Sequence, residues 1–222
     1  MQTQVTREEV IAAIESTGLI VILRGIPNRQ LLPLAQALLD AGVKVLEITF
    51  SADGKVTDAE TAENIRLLAE HFAGKLYVGS GTVLTPEQVR LTQQAGGCFA
   101  LSPHADEAVI RESRLCGLVS IPGAMTPTEI QSASVWGADF VKLFPASTLG
   151  PEYLRAVRAP LSHVKLLAVG GITPENIPAF SKAGAVGFGI GTNILDKEAL
   201  RQENYTAITE LATSYLSLIR KK

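Results

Sequence analysis

Gly137-Ala138-Asp139-Phe140-Val141-Lys142-Leu143-Phe144-Pro145 is the stretch whose reading decides the fold. β-Branched and aromatic residues fill a short run closed by glycine and proline, the pattern of a strand buried on both faces. A lysine stands in the middle of it. An ammonium group in such a setting loses hydration, which lowers its pKa and leaves a nucleophilic amine near neutral pH. The plainer alternative is a stem packed in the core with its head reaching solvent.

The same unit repeats on both sides of this run. A helix ends in glycine, an apolar strand follows, and a turn opens the next helix. Gly42, Gly96, Gly117, Gly137 and Gly184 are the helix-ending glycines, at a position that favours positive φ. Thr85-Pro86, Thr126-Pro127 and Thr173-Pro174 put Thr at the N-cap and Pro at the first helical position. Gln88 and Glu129 complete capping boxes in the first two. Strand-like runs cover 19–24, 43–50, 76–80, 98–102, 118–121, 140–144, 164–169 and 186–190. Eight strands alternating with helices predict an α/β fold, a (β/α)8 TIM barrel. A doubly wound open sheet is the alternative. Thr6 and Glu9 form a further capping box, so an extra N-terminal helix precedes the first strand. One domain over residues 1–222 is expected, and 51–58 is the polar loop expected to act as a lid.

Composition narrows the function. The chain has 222 residues, 46% hydrophobic and 19% charged, with a net charge of −2. That balance offers no general attraction to nucleic acid or to an anionic membrane. Met1–Val5 has neither a basic nor an apolar character, so no secretory signal is expected. No apolar run reaches the roughly 18 residues of a membrane span. Cys98 and Cys116 read as buried thiols of a reducing cytoplasm. His71, His104 and His163 are scattered, so no metal site is expected.

Catalytic groups of such barrels stand at the C-terminal ends of the strands. Arg24 ends the first strand, Glu47 lies late in the second, Thr82 follows the third and Lys142 lies late in the sixth. If their parities point inward, a lysine, a carboxylate and an arginine share one mouth. Each has a bland reading: Glu47 as a buried ion-pair partner of Lys142, Arg24 bonded to strand-end carbonyls, Thr82 as a turn cap. Their convergence argues for chemistry, because burying several ionisable groups is costly. Gly170-Gly171 and Gly189-Ile190-Gly191-Thr192 follow the last two strands. Backbone N–H groups there suit an anion, and phosphate is the expected one.

Seven motifs carry a family likeness: Val21-Ile22-Leu23-Arg24-Gly25, Leu46-Glu47-Ile48-Thr49-Phe50, Gly79-Ser80-Gly81-Thr82-Val83-Leu84, Leu101-Ser102-Pro103-His104, Ile121-Pro122-Gly123, Lys142-Leu143-Phe144-Pro145 and Gly170-Gly171-Ile172. In order and spacing they resemble the 2-keto-3-deoxy-6-phosphogluconate and 6-phosphogalactonate aldolases, over roughly residues 6–220. The resemblance implies a class I, metal-free and cofactor-free aldehyde-lyase. It implies a cytoplasmic homotrimer that cleaves a phosphorylated keto acid to pyruvate and glyceraldehyde 3-phosphate. Lys142 matches the Schiff-base lysine and Glu47 the general acid/base. Arg24 and Thr82 match positions near the pyruvate carboxylate, Pro103 and Phe144 apolar walls, and Gly170, Gly171, Gly191 and Thr192 the phosphate end. Two positions depart from the pattern. Ser51 stands where some members have arginine, which shifts carboxylate binding to Arg24. Ala168-Val169 replaces the Pro-Thr of many gluconate-type members, so the C4 epimer stays open, as does cleavage of 4-hydroxy-2-oxoglutarate. The rival readings are a sugar-phosphate isomerase or epimerase and a non-catalytic phosphosugar-binding barrel.

Overall fold

The computed structural model describes residues 5–220; most of the stretch read for a secretory signal, residues 1–4, lies outside them. The strands are β1 (Leu19–Leu23), β2 (Val45–Thr49), β3 (Tyr77–Gly81), β4 (Phe99–Leu101), β5 (Val119–Ile121), β6 (Gly123–Ala124), β7 (Val141–Leu143), β8 (Leu166–Val169) and β9 (Gly187–Ile190). They form one parallel sheet in the order β5-β4-β3-β2-β1-β9-β8-β7-β6. Its two ends, β5 and β6, are separated in the chain by Pro122 alone. They are halves of one stave, and the sheet closes on itself. Nine strands therefore make the eight staves expected. Proline has no N–H to donate and interrupts the ladder, while its carbonyl still accepts from the Lys142 N–H at 2.8 Å.

The helices are α1 (Arg7–Thr17), α2 (Asn28–Asp40), α3 (Asp58–His71), α4 (Pro86–Gln94), α5 (Glu107–Leu115), α6 (Pro127–Trp136), α7 (Ala146–Arg158), α8 (Ile177–Ala183), α9 (Lys197–Arg201) and α10 (Tyr205–Ile219). None of them is long and apolar enough to cross a membrane. All five helix-ending glycines lie at φ between 73° and 106°. Thr6 and Thr126 form reciprocal boxes with Glu9 and Glu129. Two expectations need correction. Thr85 does cap α4, but the Gln88 side chain accepts from the Leu84 N–H and donates to Asp58, so that box is one-sided. Thr173-Pro174 does not open a helix. Asn176 Oδ1 accepts from the Thr173 N–H at 2.9 Å, which holds 173–176 as a turn, and α8 begins at Ile177.

Alternation sorts each strand between two cores. Leu46, Ile48, Val141 and Leu143 face the helices. Val45 and Phe140 face the barrel axis, where they pack with Ile20, Phe99, Val119 and Leu167. Val10, Ala13 and Ile14 of α1 join this inner cluster. The extra helix thus plugs the bottom of the barrel, and each buried aliphatic side chain contributes about 1.5–3 kcal/mol. Asp139 locks that end. Its half of the carboxylate pairs with Arg7 of α1 and, at 3.5 Å, with Arg114 of α5, while the other oxygen accepts from the Ser120 N–H at 2.9 Å. Hydrocarbon fills the axis above that lock, and the buried Glu47 and Lys142 lie at the top. Cys98 and Cys116 are free and half-buried, less enclosed than expected. The Cys98 thiol donates to the Val78 carbonyl at 3.2 Å, and burial pushes it up to about 12.

Candidate active site

Inward parity carries Glu47 and Lys142 to the top of the axis, two residues beyond Val45 and Phe140 on their strands. Both are buried, at 2% and 7% exposure. A cavity of about 660 Å³ opens above them at the C-terminal ends of the strands. Arg24, Thr82, Pro103 and Phe144 line it together with Glu47 and Lys142, and Gly170, Gly171, Gly191 and Thr192 line its other side. All ten residues singled out in the sequence meet in this one space. None of residues 51–58, the loop expected to act as a lid, lines it; Ser51–Asp53 and Lys55–Asp53 contacts lie within that loop.

The bland reading of Glu47 and Lys142 as an ion pair does not describe the geometry. No ion-pair contact within 4.0 Å joins them, and Glu47 Oε2 has no hydrogen-bond partner among the described residues. Burial raises the Glu47 carboxyl to about 7, against the opposing pull of the Lys142 and Arg24 charges. Burial also lowers the Lys142 ammonium, with Arg24 helping and Glu47 opposing. Lys142 Nζ sits 4.5 Å from the centre of the Phe144 ring. Two groups are thus held in an apolar setting where each changes protonation more easily than in water. One is a nucleophilic amine and the other a carboxyl able to give or take a proton at neutral pH.

Neighbouring backbone makes room for them. The β2–β3 register sets Thr49 opposite Gly81. A Cβ on Gly81 would fall 1.6 Å from Glu47 Oε1, so the carboxyl lies directly over a glycine. Gly81→Ala is expected to push Glu47 aside and lower turnover by about 10²-fold, the cost of misplacing a reacting group by an ångström. Unchanged turnover in a folded variant, checked by circular dichroism, would show that the carboxyl position is not critical. Thr82 follows at φ 57°, a costly conformation for a β-branched residue that persists where surroundings impose it. There its hydroxyl accepts from Arg24 Nη2 at 3.2 Å. Arg24 itself is exposed to the cavity mouth, one residue past the end of β1.

At the far side, Gly170 and Gly171 have φ of 93° and 70°. The Gly170 carbonyl accepts from the Ser147 N–H at 3.0 Å. The Ser147 hydroxyl occupies the place a Gly171 side chain would take, 2.1 Å from that Cβ position. Asn193 Nδ2 donates to the Ile172 carbonyl at 2.8 Å, which joins the β8 and β9 loops into one wall. Val169, read in the sequence as bearing on the C4 epimer, also lines the cavity. Sequence reasoning gave no site role to Ile22 and Lys197, which line it too; alternation along β1 could have found Ile22. Nothing in the local sequence marks Lys197.

A family model described as KDPG and KHG aldolase matches residues 10–211. The chain belongs to the KDPG and KHG aldolase family. Among its relatives, a 2-dehydro-3-deoxy-6-phosphogalactonate aldolase of Escherichia coli (strain K12) is 36% identical over 177 residues, covering 79% of this chain and 83% of the relative. A solved structure described as native KDPGal superposes with a TM-score of 0.82 at 32% identity, covering 91% of this chain and 94% of the other. A KDPG aldolase from Legionella pneumophila, with pyruvate captured at low pH as a covalent carbinolamine intermediate, superposes with a TM-score of 0.81 at 27% identity, covering 96% of this chain and 98% of the other. The aldolase family likeness therefore extends over the barrel and its cavity, from α1 to α10.

Proposed function

We propose that this chain is a class I aldolase that cleaves a 2-keto-3-deoxy-6-phospho-sugar acid to pyruvate and glyceraldehyde 3-phosphate through a Schiff base on Lys142. The observation that carries the reading is a buried Lys142 with a lowered pKa and no ion pair among the described residues, beside a buried Glu47 whose Oε2 has no hydrogen-bond partner there, in the same cavity. The carbinolamine captured in the Legionella relative supports the same chemistry.

Neutral Lys142 attacks the C2 ketone, and Glu47 moves the protons that let water leave as the iminium forms. The cationic iminium then serves as an electron sink. Glu47 as carboxylate takes the C4 hydroxyl proton; the O–H electrons form the aldehyde C=O, and the C3–C4 bond breaks into a C2=C3 enamine. Glyceraldehyde 3-phosphate departs. Protonation of C3 and hydrolysis of the imine release pyruvate and return Lys142. Arg24, steadied by Thr82, faces the substrate carboxylate, which fits the bonded pair at the mouth. Pro103 and Phe144 wall the carbon chain. The N–H groups around Gly170, Gly171 and Gly191, with the Thr192 hydroxyl, receive the phosphate.

Val169, an inward aliphatic side chain on the cavity wall, offers no hydroxyl to the substrate, and both C4 epimers belong to the proposed class. 4-Hydroxy-2-oxoglutarate, with a carboxylate in place of the phosphate-bearing tail, fits the same two-anion cavity. The proposal extends to one catalytic domain over residues 1–222, a homotrimer, and a cytoplasmic place in sugar-acid breakdown of the Entner–Doudoroff type.

Borohydride reduction in the presence of pyruvate tests the reading, followed by intact and peptide mass measurement. The expected result is a stable pyruvate-derived adduct on the peptide that carries Lys142. No adduct on folded protein across a range of pH would leave the isomerase or binding reading in its place.

A further inference from the structure

Four charged side chains line the cavity: Arg24, Glu47, Lys142 and Lys197. The first three form one electrostatic group, since Glu47 and Lys142 respond to each other and to Arg24. Lys197 enters neither response. It stands apart from the catalytic end, five residues after Thr192, at the first position of α9. Its exposed ammonium has no ion-pair or hydrogen-bond partner among the described residues, although most arginines of the chain are paired. No ion pair joins it to the neighbouring Asp196, whose carboxylate caps α9 through the Ala199 N–H at 2.7 Å. The backbone beneath Lys197 is fixed from the other side as well. Gln30 of α2 donates to the Leu200 carbonyl at 3.1 Å, which ties α9 to α2.

An acyclic substrate with an anion at each end meets one cation at each end of this cavity. Arg24, bonded to Thr82, serves the end that holds Lys142. The glycine-rich wall at the other end offers backbone donors to an anion but no formal charge, and a cation beside it adds an attraction that a neutral hydroxyl does not share.

We infer that Lys197 is a specificity residue: it pairs with the distal phosphate of the substrate and makes the cavity select phosphorylated over unphosphorylated keto-deoxy acids. This rests on the aldolase reading above. Because the ammonium is exposed, its contribution is that of a rim ion pair, felt in binding and in salt dependence more than in the chemical step.

The test compares wild type, Lys197→Met and Lys197→Arg on 2-keto-3-deoxy-6-phosphogluconate, its 6-phosphogalactonate epimer, and the phosphate-free counterpart of each. Lys197→Met is expected to raise KM for the phosphorylated acids about fivefold with kcat unchanged, the size of an exposed ion pair. KM for the phosphate-free acids stays as in wild type, and Lys197→Arg restores the phosphorylated KM. Added salt raises the wild-type KM for the phosphorylated acids more steeply than that of Lys197→Met. If wild type cleaves the phosphorylated acids and Lys197→Met leaves their KM unaltered, the inference is overturned alone. An equal KM rise for both kinds of acid also overturns it, since a general disturbance of α9 would act so. If wild type cleaves none of the acids and forms no pyruvate adduct, the aldolase reading fails and takes the inference with it.

Discussion

Lys142→Ala is expected to abolish cleavage, by at least about 10⁴-fold, because the step that creates the electron sink has no other amine to form it. Every other cation on the cavity is unsuited to the task. Arg24 carries a guanidinium, which is not an imine-forming amine, and Lys197 lies exposed on the cavity, apart from the Glu47–Lys142 pair. Binding should survive. The wall of Gly170, Gly171, Gly191 and Thr192 and the Arg24–Thr82 pair are untouched by the substitution, so a phosphorylated product analogue is expected to bind within a few-fold of wild type by calorimetry. The pyruvate adduct formed under borohydride should vanish together with turnover. Near-normal turnover in Lys142→Ala would remove the lysine from the mechanism. Lys142→Arg keeps a positive charge but is expected to be as inactive as the alanine variant, which separates imine formation from electrostatic stabilisation. A sugar-phosphate isomerase using the lysine as a fixed charge would retain activity in the arginine variant.

Glu47→Gln is expected to lose activity and gain stability at once. The amide keeps the shape over Gly81 but cannot accept the C4 hydroxyl proton or return it to the enamine, a loss of about 10²–10⁴-fold. Exchange of the pyruvate methyl protons should slow in parallel, and an unchanged exchange rate would exclude Glu47 from proton transfer. The pH profile follows from the same carboxyl. With Glu47 raised to about 7 by burial, wild-type kcat/KM should fall as pH drops through that value, because the base becomes protonated.

The stability effect has a definite sign. The folded pKa lies above the unfolded value of 4.5, so the folded state holds the proton more tightly. Below 4.5 the carboxyl is protonated in both states and costs nothing. As pH rises from 4.5 to about 7 the unfolded chain ionises first, and wild-type stability declines. Above that window Glu47→Gln should therefore be more stable by about 3 kcal/mol, a difference that shrinks to nothing in acid. Urea denaturation of both proteins on either side of the window measures it. A variant less stable than wild type at high pH would mean that the attraction to Lys142 outweighs the desolvation of Glu47.

Much of this molecule is written locally. Thr-Pro caps, glycines at helix ends and short β-branched runs each depend on a few neighbouring residues, and they predict the alternation of strands and helices that closes into the barrel. The motifs around Arg24, Glu47, Thr82 and Lys142 pointed to a family and a chemistry for the same reason, since each motif is contiguous. Local signals also misled where a competing bond was available. Asn176 turned Thr173-Pro174 into a turn, and Gln88 gave its oxygen to Leu84. The strand read to Ile121 does end there, but its stave continues past Pro122 in Gly123–Ala124, which no apolar run marked.

Distances between groups far apart in the chain belong to the tertiary structure. Only closure of the sheet brings Glu47 of β2 and Lys142 of β7 over the same apolar plug and leaves them near but unpaired. Only the β2–β3 register shows that Gly81 is glycine because the Glu47 carboxyl lies on it. The plug by α1, the wall built from the β8 and β9 loops, and the place of Lys197 on the cavity are of the same kind. A sequence records which residues alternate and which turns they make, because those energies are local. How deeply a charge is buried, and what faces it there, depends on every stave of the closed barrel at once.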